Sequence, residues 1–191
     1  MSQNPTNQVG QVSADGQFRW DGQQWQPIMP GTREPTSWTR PMQRAAAALF
    51  VVEAISSVVI AFAFINHDTM VRAIKAQGTQ IPASTTIGQI ADFALATTIG
   101  FIVFIALLSL VAAVGSYLGW RWMFWVALVL FGLGGIGALT NLTSLFRPET
   151  SPIPIAGLIV NELISIANLA MFVWLLVGVI KFGPWAMRKP A

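Results

Sequence analysis

The sequence predicts an all-α membrane protein: four transmembrane helices, preceded by a small N-terminal β-hairpin and a flexible N-terminus. Three observations carry that fold class. First, 54% of the 191 residues are hydrophobic, only 10% are charged, and the mean hydropathy is +0.60, whereas a soluble domain carries about 25% charge. Second, the apolar residues fall into four segments, 45–65, 93–118, 122–146 and 153–180, each long enough to cross a hydrocarbon core of about 30 Å as a helix. Third, of eleven Lys/Arg and eight Asp/Glu residues, only Glu53 and Glu162 lie inside those segments.

Residues 1–14 are polar and rich in Gln and Asn, and read as a disordered tail. Residues 15–28 form a Trp-rich hairpin unit. Asp21-Gly22 is a type I′ turn signal, Phe18 and Trp20 alternate on one side of it, and Trp25 follows it. The expected result is one small aromatic cluster of Phe18, Trp20 and Trp25. Residues 29–44, with Pro30, Pro35 and Pro41, read as a linker to the four-helix transmembrane domain at 45–191.

Between the first two spans, Asp68 to Gly78 has the pattern of a short amphipathic helix, with Asp68 as N-cap, Gly78 at C′, and Met70, Val71 and Ile74 on one face. The second long helix is expected to start at Ser84 or Thr85. Gly119, Trp120 and Arg121 alone separate the second and third spans. So short a link predicts an antiparallel helical hairpin, packed along the small residues Ala106, Ser109, Ala113 and Ser116. A glycine cluster at Gly132, Gly134, Gly135 and Gly137 suggests close helix approach in the third span and leaves a homo-oligomeric contact as the alternative. Pro148 stops that span, and Pro154 suits the first turn of the fourth.

Basic residues set the expected orientation. Arg33, Arg40, Arg44, Arg121, Lys181, Arg188 and Lys189 flank one side, and Arg72, Lys75 and Arg147 the other. The positive-inside rule then puts both termini in the cytoplasm of a multi-pass cell-membrane protein. Trp38, Trp120, Trp122, Trp125 and Trp185 gather near the same interface, where an indole ring is half solvated. The first 44 residues hold no apolar run, so no signal peptide is expected.

Several function classes are unfavoured. The scattered basic residues form no nucleic-acid-binding stripe and read as topology and contact with the lipid bilayer. With no cysteine, thiolate metal sites and cysteine nucleophiles are excluded. No metal-ligand cluster, cofactor fingerprint or catalytic arrangement is visible, so no enzyme is expected. His67, beside Asp68, reads as a solvated loop residue. Asn141-Leu142-Thr143 has the glycosylation pattern but lies inside a membrane span.

The candidate polar site is intramembrane. Glu53 and Glu162 each fall about 12–14 Å from a span end, near the midplane, with no Lys, Arg or His in any span. Buried acids at that depth mark functional sites or hydrogen-bonded structural ones, and the neutral acid is the expected form at pH 7. Asn161, Ser165 and Asn168 form a polar stripe beside Glu162, and Ser56 and Ser57 lie close to Glu53.

The stretch Asp15-Gly16-Gln17-Phe18-Arg19-Trp20-Asp21-Gly22-Gln23-Gln24-Trp25 resembles a Trp-Asp-Gly-x-x-Trp motif at the N-termini of many bacterial membrane proteins. The layout is similar to that of uncharacterised bacterial four-helix membrane proteins carrying such heads. The resemblance implies a bacterial inner-membrane protein and carries over no activity and no site residue. Two functions follow from the residues. One is a non-catalytic accessory or scaffold protein that docks a membrane or cytoplasmic partner through Phe18, Trp20 and Trp25. The alternative is a small transporter or proton/cation-coupled channel subunit using Glu53 and Glu162.

Overall fold

The computed structural model describes residues 8–15, 17–27, 33–78 and 85–188. The first seven residues of the expected tail, Gly16, Ile28, Pro30, Ser84 and Lys189 lie outside them, as does the side chain of Asn141. Four helices are long and apolar enough to cross a membrane: α1 (Thr39–Phe64), α3 (Ile87–Tyr117), α4 (Arg121–Phe146) and α5 (Ile155–Lys181). Only 28–29% of their most apolar stretches is buried within the protein. The remaining apolar side chains face outward, which is favourable where the surroundings are hydrocarbon.

Helix α2 (His67–Ala76) lies between α1 and α3 in sequence. Its N-cap is Asn66, not Asp68. The Asn66 side chain accepts from the Thr69 N–H at 3.0 Å, and the Thr69 hydroxyl accepts from the Asn66 N–H. An N-cap must reach the N3 amide, and Asp68 already lies inside the first turn. Gly78 ends the helix at φ +65°, as the left-handed C′ position requires. Likewise α3 is capped by Thr86, in a capping box with Gln89, rather than by Ser84 or Thr85.

The long helices form two antiparallel pairs, α1 with α3 and α4 with α5. This corrects the expected α3–α4 pairing. Those two helices meet mainly near their tight turn, where Gly115 leaves room for Met123 and Trp120. The buried stripe Ala106, Ser109, Ala113 and Ser116 is used mainly by α1, whose Ala47, Ala48 and Val51 line the same groove as Ala113. A glycine-rich stripe joins the other pair: Gly135 sits against the backbone of Leu169, and Gly132 against the Phe172 ring. The proximal end of the bundle, where α1 starts and α5 ends, is filled by Met42, Phe50, Phe124, Phe131, Met171 and Leu175. Phe50 of α1 stacks on Phe131 of α4 with centroids 4.4 Å apart. At the distal end Ala61, Ile65, Met70 and Ala91 join α1, α2 and α3.

Two small strand pairs flank the proximal end. β1 (Phe18–Trp20) pairs antiparallel with β2 (Trp25–Pro27), with Trp20 opposite Trp25. The connection is the four-residue loop Asp21–Gln24, not a two-residue type I′ turn. The Asp21 carboxylate accepts from the Gln23 and Gln24 N–H groups, both at 2.7 Å. That ties the loop to an Asp side chain rather than to paired left-handed residues. Residues 10–13, expected within the disordered tail, run beside β1: the Trp20 N–H donates to the Gln11 carbonyl and the Ser13 N–H to that of Phe18.

The second pair corrects the linker. β3 (Glu34–Pro35) pairs with β4 (Met187–Arg188), some 150 positions away, and α1 begins at Thr39 rather than residue 45. The Thr36 and Thr39 hydroxyls both donate to the Ala186 carbonyl, at 2.8 and 3.0 Å. Trp185 is buried to 1% exposure, packs edge-on against Phe124, and donates from Nε1 to the Trp120 carbonyl at 2.9 Å. It is a core residue of this clasp, not an interfacial anchor. The segment turns through Gly183 at φ +105°, where the Arg33 guanidinium occupies the space of a Cβ. Trp185 and Ala186 follow at φ +54° and +52°, a conformation costly for L-residues.

Candidate functional site

The polar stripe on α5 follows from helical spacing. Asn161, Ser165 and Asn168 recur at four and three residues and share one face. That face turns toward α1 and α4 because the glycines of α4 admit it: a Cβ on Gly134 would collide with the Asn168 amide. Asn168 is thereby buried, at 4% exposure. Its Nδ2–H donates to Glu53 Oε1 of α1. Asn168 stands 13 residues into α5 and Glu53 11 residues from the end of α1, which places both near mid-span at 1.5 Å per residue.

Together they line a cavity of about 370 Å³ in the centre of the bundle. α1 contributes Phe50, Glu53, Ser56 and Ser57, and α3 contributes Ile105 and Ser109. Leu130, Gly134 and Gly137 of α4 and Asn161, Ile164, Ser165 and Asn168 of α5 complete the wall. Four of the five expected polar-site residues are therefore brought together. Glu162 is not among them. Six residues separate it from Asn168, which is about 9 Å along the axis and about 120° around it. Its side chain is half-buried, and Oε2 has no hydrogen-bond partner among the described residues. The two acids do not face each other.

The serines near Glu53 do not serve it as expected. Ser56 Oγ donates to the Val52 carbonyl at 2.6 Å, and Ser57 Oγ to that of Ala54 at 3.1 Å. Serine in a helix returns its proton to the preceding turn in this way. The partner is instead the amide of Asn168, and its Oδ1 is left buried with no partner among the described residues. The cavity thus offers the Glu53 carboxyl group, while Asn168 Oδ1 itself has almost no accessible surface. Sequence reasoning missed Ser109, which it read only as a packing position, and Gly134, whose role is to make room for Asn168. The signal for both was the small-residue patterns on α3 and α4.

The aromatic head brings together part of the expected cluster. Trp20 and Trp25 meet edge to face at 5.5 Å, while Phe18 stands opposite Pro27. Phe18 and Trp25 remain 38% and 36% exposed. The head is tied to the clasp by an Arg19–Glu34 ion pair. His67 is in no loop: it opens α2, and Nδ1 lies 2.7 Å from Asp92 of α3. Among the described residues no three His, Asp or Glu side chains converge as for a metal ion. No protein-family model, curated protein or solved structure matches this chain.

Proposed function

We propose that this integral membrane protein binds and passes a hydrogen-bond-donating, positively charged species at Glu53, as a small transporter or cation-coupled subunit rather than a passive scaffold. One observation supports the reading above the rest. The Glu53 side chain lines a mid-span cavity with room beside it, and its one described side-chain partner is the Asn168 amide. An acid retained only to glue helices together is surrounded by donors that satisfy it. Here a single amide donor meets the acid, and the cavity beside it leaves space for a further, charged donor. The site is one of binding, not catalysis, since its wall pairs a single acid with amides and hydroxyls. Glu162 has no part in it. In this reading the protein sits in a bacterial inner membrane with both termini cytoplasmic, following the basic-residue asymmetry.

The test is proton- or cation-dependent flux in reconstituted vesicles. Glu53→Gln keeps shape and is expected to fold and lose the flux, while Glu162→Gln retains it. Equal flux in wild type and Glu53→Gln, or none in wild type, rejects the reading.

A second reading, of an accessory protein docking a partner, draws on the exposed Phe18 and Trp25 of a head held in place by Arg19–Glu34. It requires that Trp25→Ala abolish binding of a defined partner while leaving the four-helix domain intact.

A further inference from the structure

The exposed part of the cavity lining lies on α3 and α4. On its proximal side the cavity is lined by Phe50, which is buried and stacks on the buried Phe131. Toward the distal end Ile60 and Leu158 are buried between α1 and α5. Among the residues that line the cavity, only Ile105 of α3 and Leu130 of α4 are exposed, to 40% and 41%. Those two helices separate beyond their turn because each follows a different partner. Ile105 lies 12 residues before the end of α3 and Leu130 nine residues after the start of α4. The gap between them is therefore about 13–18 Å from the turn, at the level of the hydrocarbon.

We propose that a membrane-partitioned primary amine enters sideways between Ile105 and Leu130 and places its ammonium group against Glu53. The inference rests on the reading of Glu53 as a cation site and adds the ligand class and the route. An ammonium carries three N–H donors. The wall supplies acceptors for it: the Glu53 carboxylate oxygens and the Ser109 hydroxyl oxygen. The rim is apolar, so an alkyl chain passes between Ile105 and Leu130 and remains in the bilayer without loss of apolar contact. A quaternary ammonium brings the charge but no N–H to donate to Glu53 or Ser109. A neutral alcohol brings one donor and no charge.

The experiment uses the full chain in phosphatidylcholine nanodiscs at pH 7, with a diazirine-bearing decylamine as photolabel and peptide mapping as readout. The expected label falls on α3 and α4 around Ile105 and Leu130. It drops at least tenfold in Glu53→Gln, and at least tenfold in the double variant Ile105→Trp, Leu130→Trp, whose exposed positions leave the core untouched. Unlabelled decylamine competes at least tenfold better than decyltrimethylammonium or decanol. Label spread over all four helices and indifferent to Glu53→Gln overturns the amine site, whatever the vesicle flux shows. Competition by water-soluble ethylammonium as strong as by decylamine, undiminished by the Trp pair, overturns the lateral route. That outcome leaves Glu53 a cation site reached from water.

Discussion

Replacing Trp185 with Phe tests the clasp that ties the C-terminal segment to the start of α1. Trp185 is fully buried, and its indole N–H donates to the Trp120 carbonyl at 2.9 Å. Phe keeps an aromatic ring against Phe124 but loses three side-chain heavy atoms and the donor. The lost packing costs about 1–2 kcal/mol, at ~0.8 kcal/mol per buried methylene-sized group. The lost hydrogen bond costs about 1 kcal/mol net. It costs no more because the Trp120 carbonyl also accepts from the Phe124 N–H at 3.3 Å and is not orphaned. The strained backbone at φ +54° is common to both residues and cancels. The total is about 2–3 kcal/mol, which raises the open fraction of the clasp about 30- to 140-fold. A thiol at the buried Ala186 position (Ala186→Cys) in both backgrounds reports that opening as its labelling rate in detergent. Trp122→Phe, on a side chain 57% exposed, is the control and should change the rate little. If Trp185→Phe leaves labelling unchanged, or Trp122→Phe accelerates it equally, the clasp is not held by this indole.

Three further outcomes are expected. Ala113→Leu drives a larger side chain into the α1–α3 groove beside Ala47 and Ala48 and should destabilise by about 1–3 kcal/mol, seen as a lower unfolding temperature in detergent, while Leu107→Ala, on an exposed side chain, should not. The Gln24 and Gln23 N–H groups hold the Asp21 carboxyl below the usual aspartate range, and the Gln26 amide adds to this. A depressed folded value means that this support is complete above the unfolded aspartate pKa and lost as pH falls through the folded one, so the Trp20–Trp25 near-ultraviolet dichroism should fade on acidification and be weaker in Asp21→Ala at neutral pH; a signal unchanged in Asp21→Ala contradicts the loop's role. For the proposed orientation, Lys75→Cys should react with an impermeant thiol reagent from outside the cell and Arg188→Cys should not, and the reverse pattern rejects it.

The four spans could be read from residue order because a bilayer imposes its demand on each segment separately: about 20 apolar residues, whatever the neighbours. The helical spacing of Asn161, Ser165 and Asn168 was equally local, and so was the offset of Glu162, which the same 100° per residue turns away from that face. Helix starts were displaced by a residue or two because several polar side chains compete for each cap. Asn66 and Thr86 prevail through reciprocal bonds with Thr69 and Gln89.

Other features depend on which surfaces meet. The short turn at Gly119 favoured pairing α3 with α4, but a stripe of small residues serves any helix that can approach it. α1 takes that stripe while α5 takes the glycines of α4. The resulting separation of α3 and α4 opens the side of the Glu53 cavity. The clasp of residues 34–35 with 187–188 uses strands two residues long, too short to leave a periodic pattern. Trp185, in a row of tryptophans suited to an interface, becomes core only because that clasp folds it inward. Each of these outcomes is a contact between segments distant in sequence, and its energy exists only once both surfaces are formed.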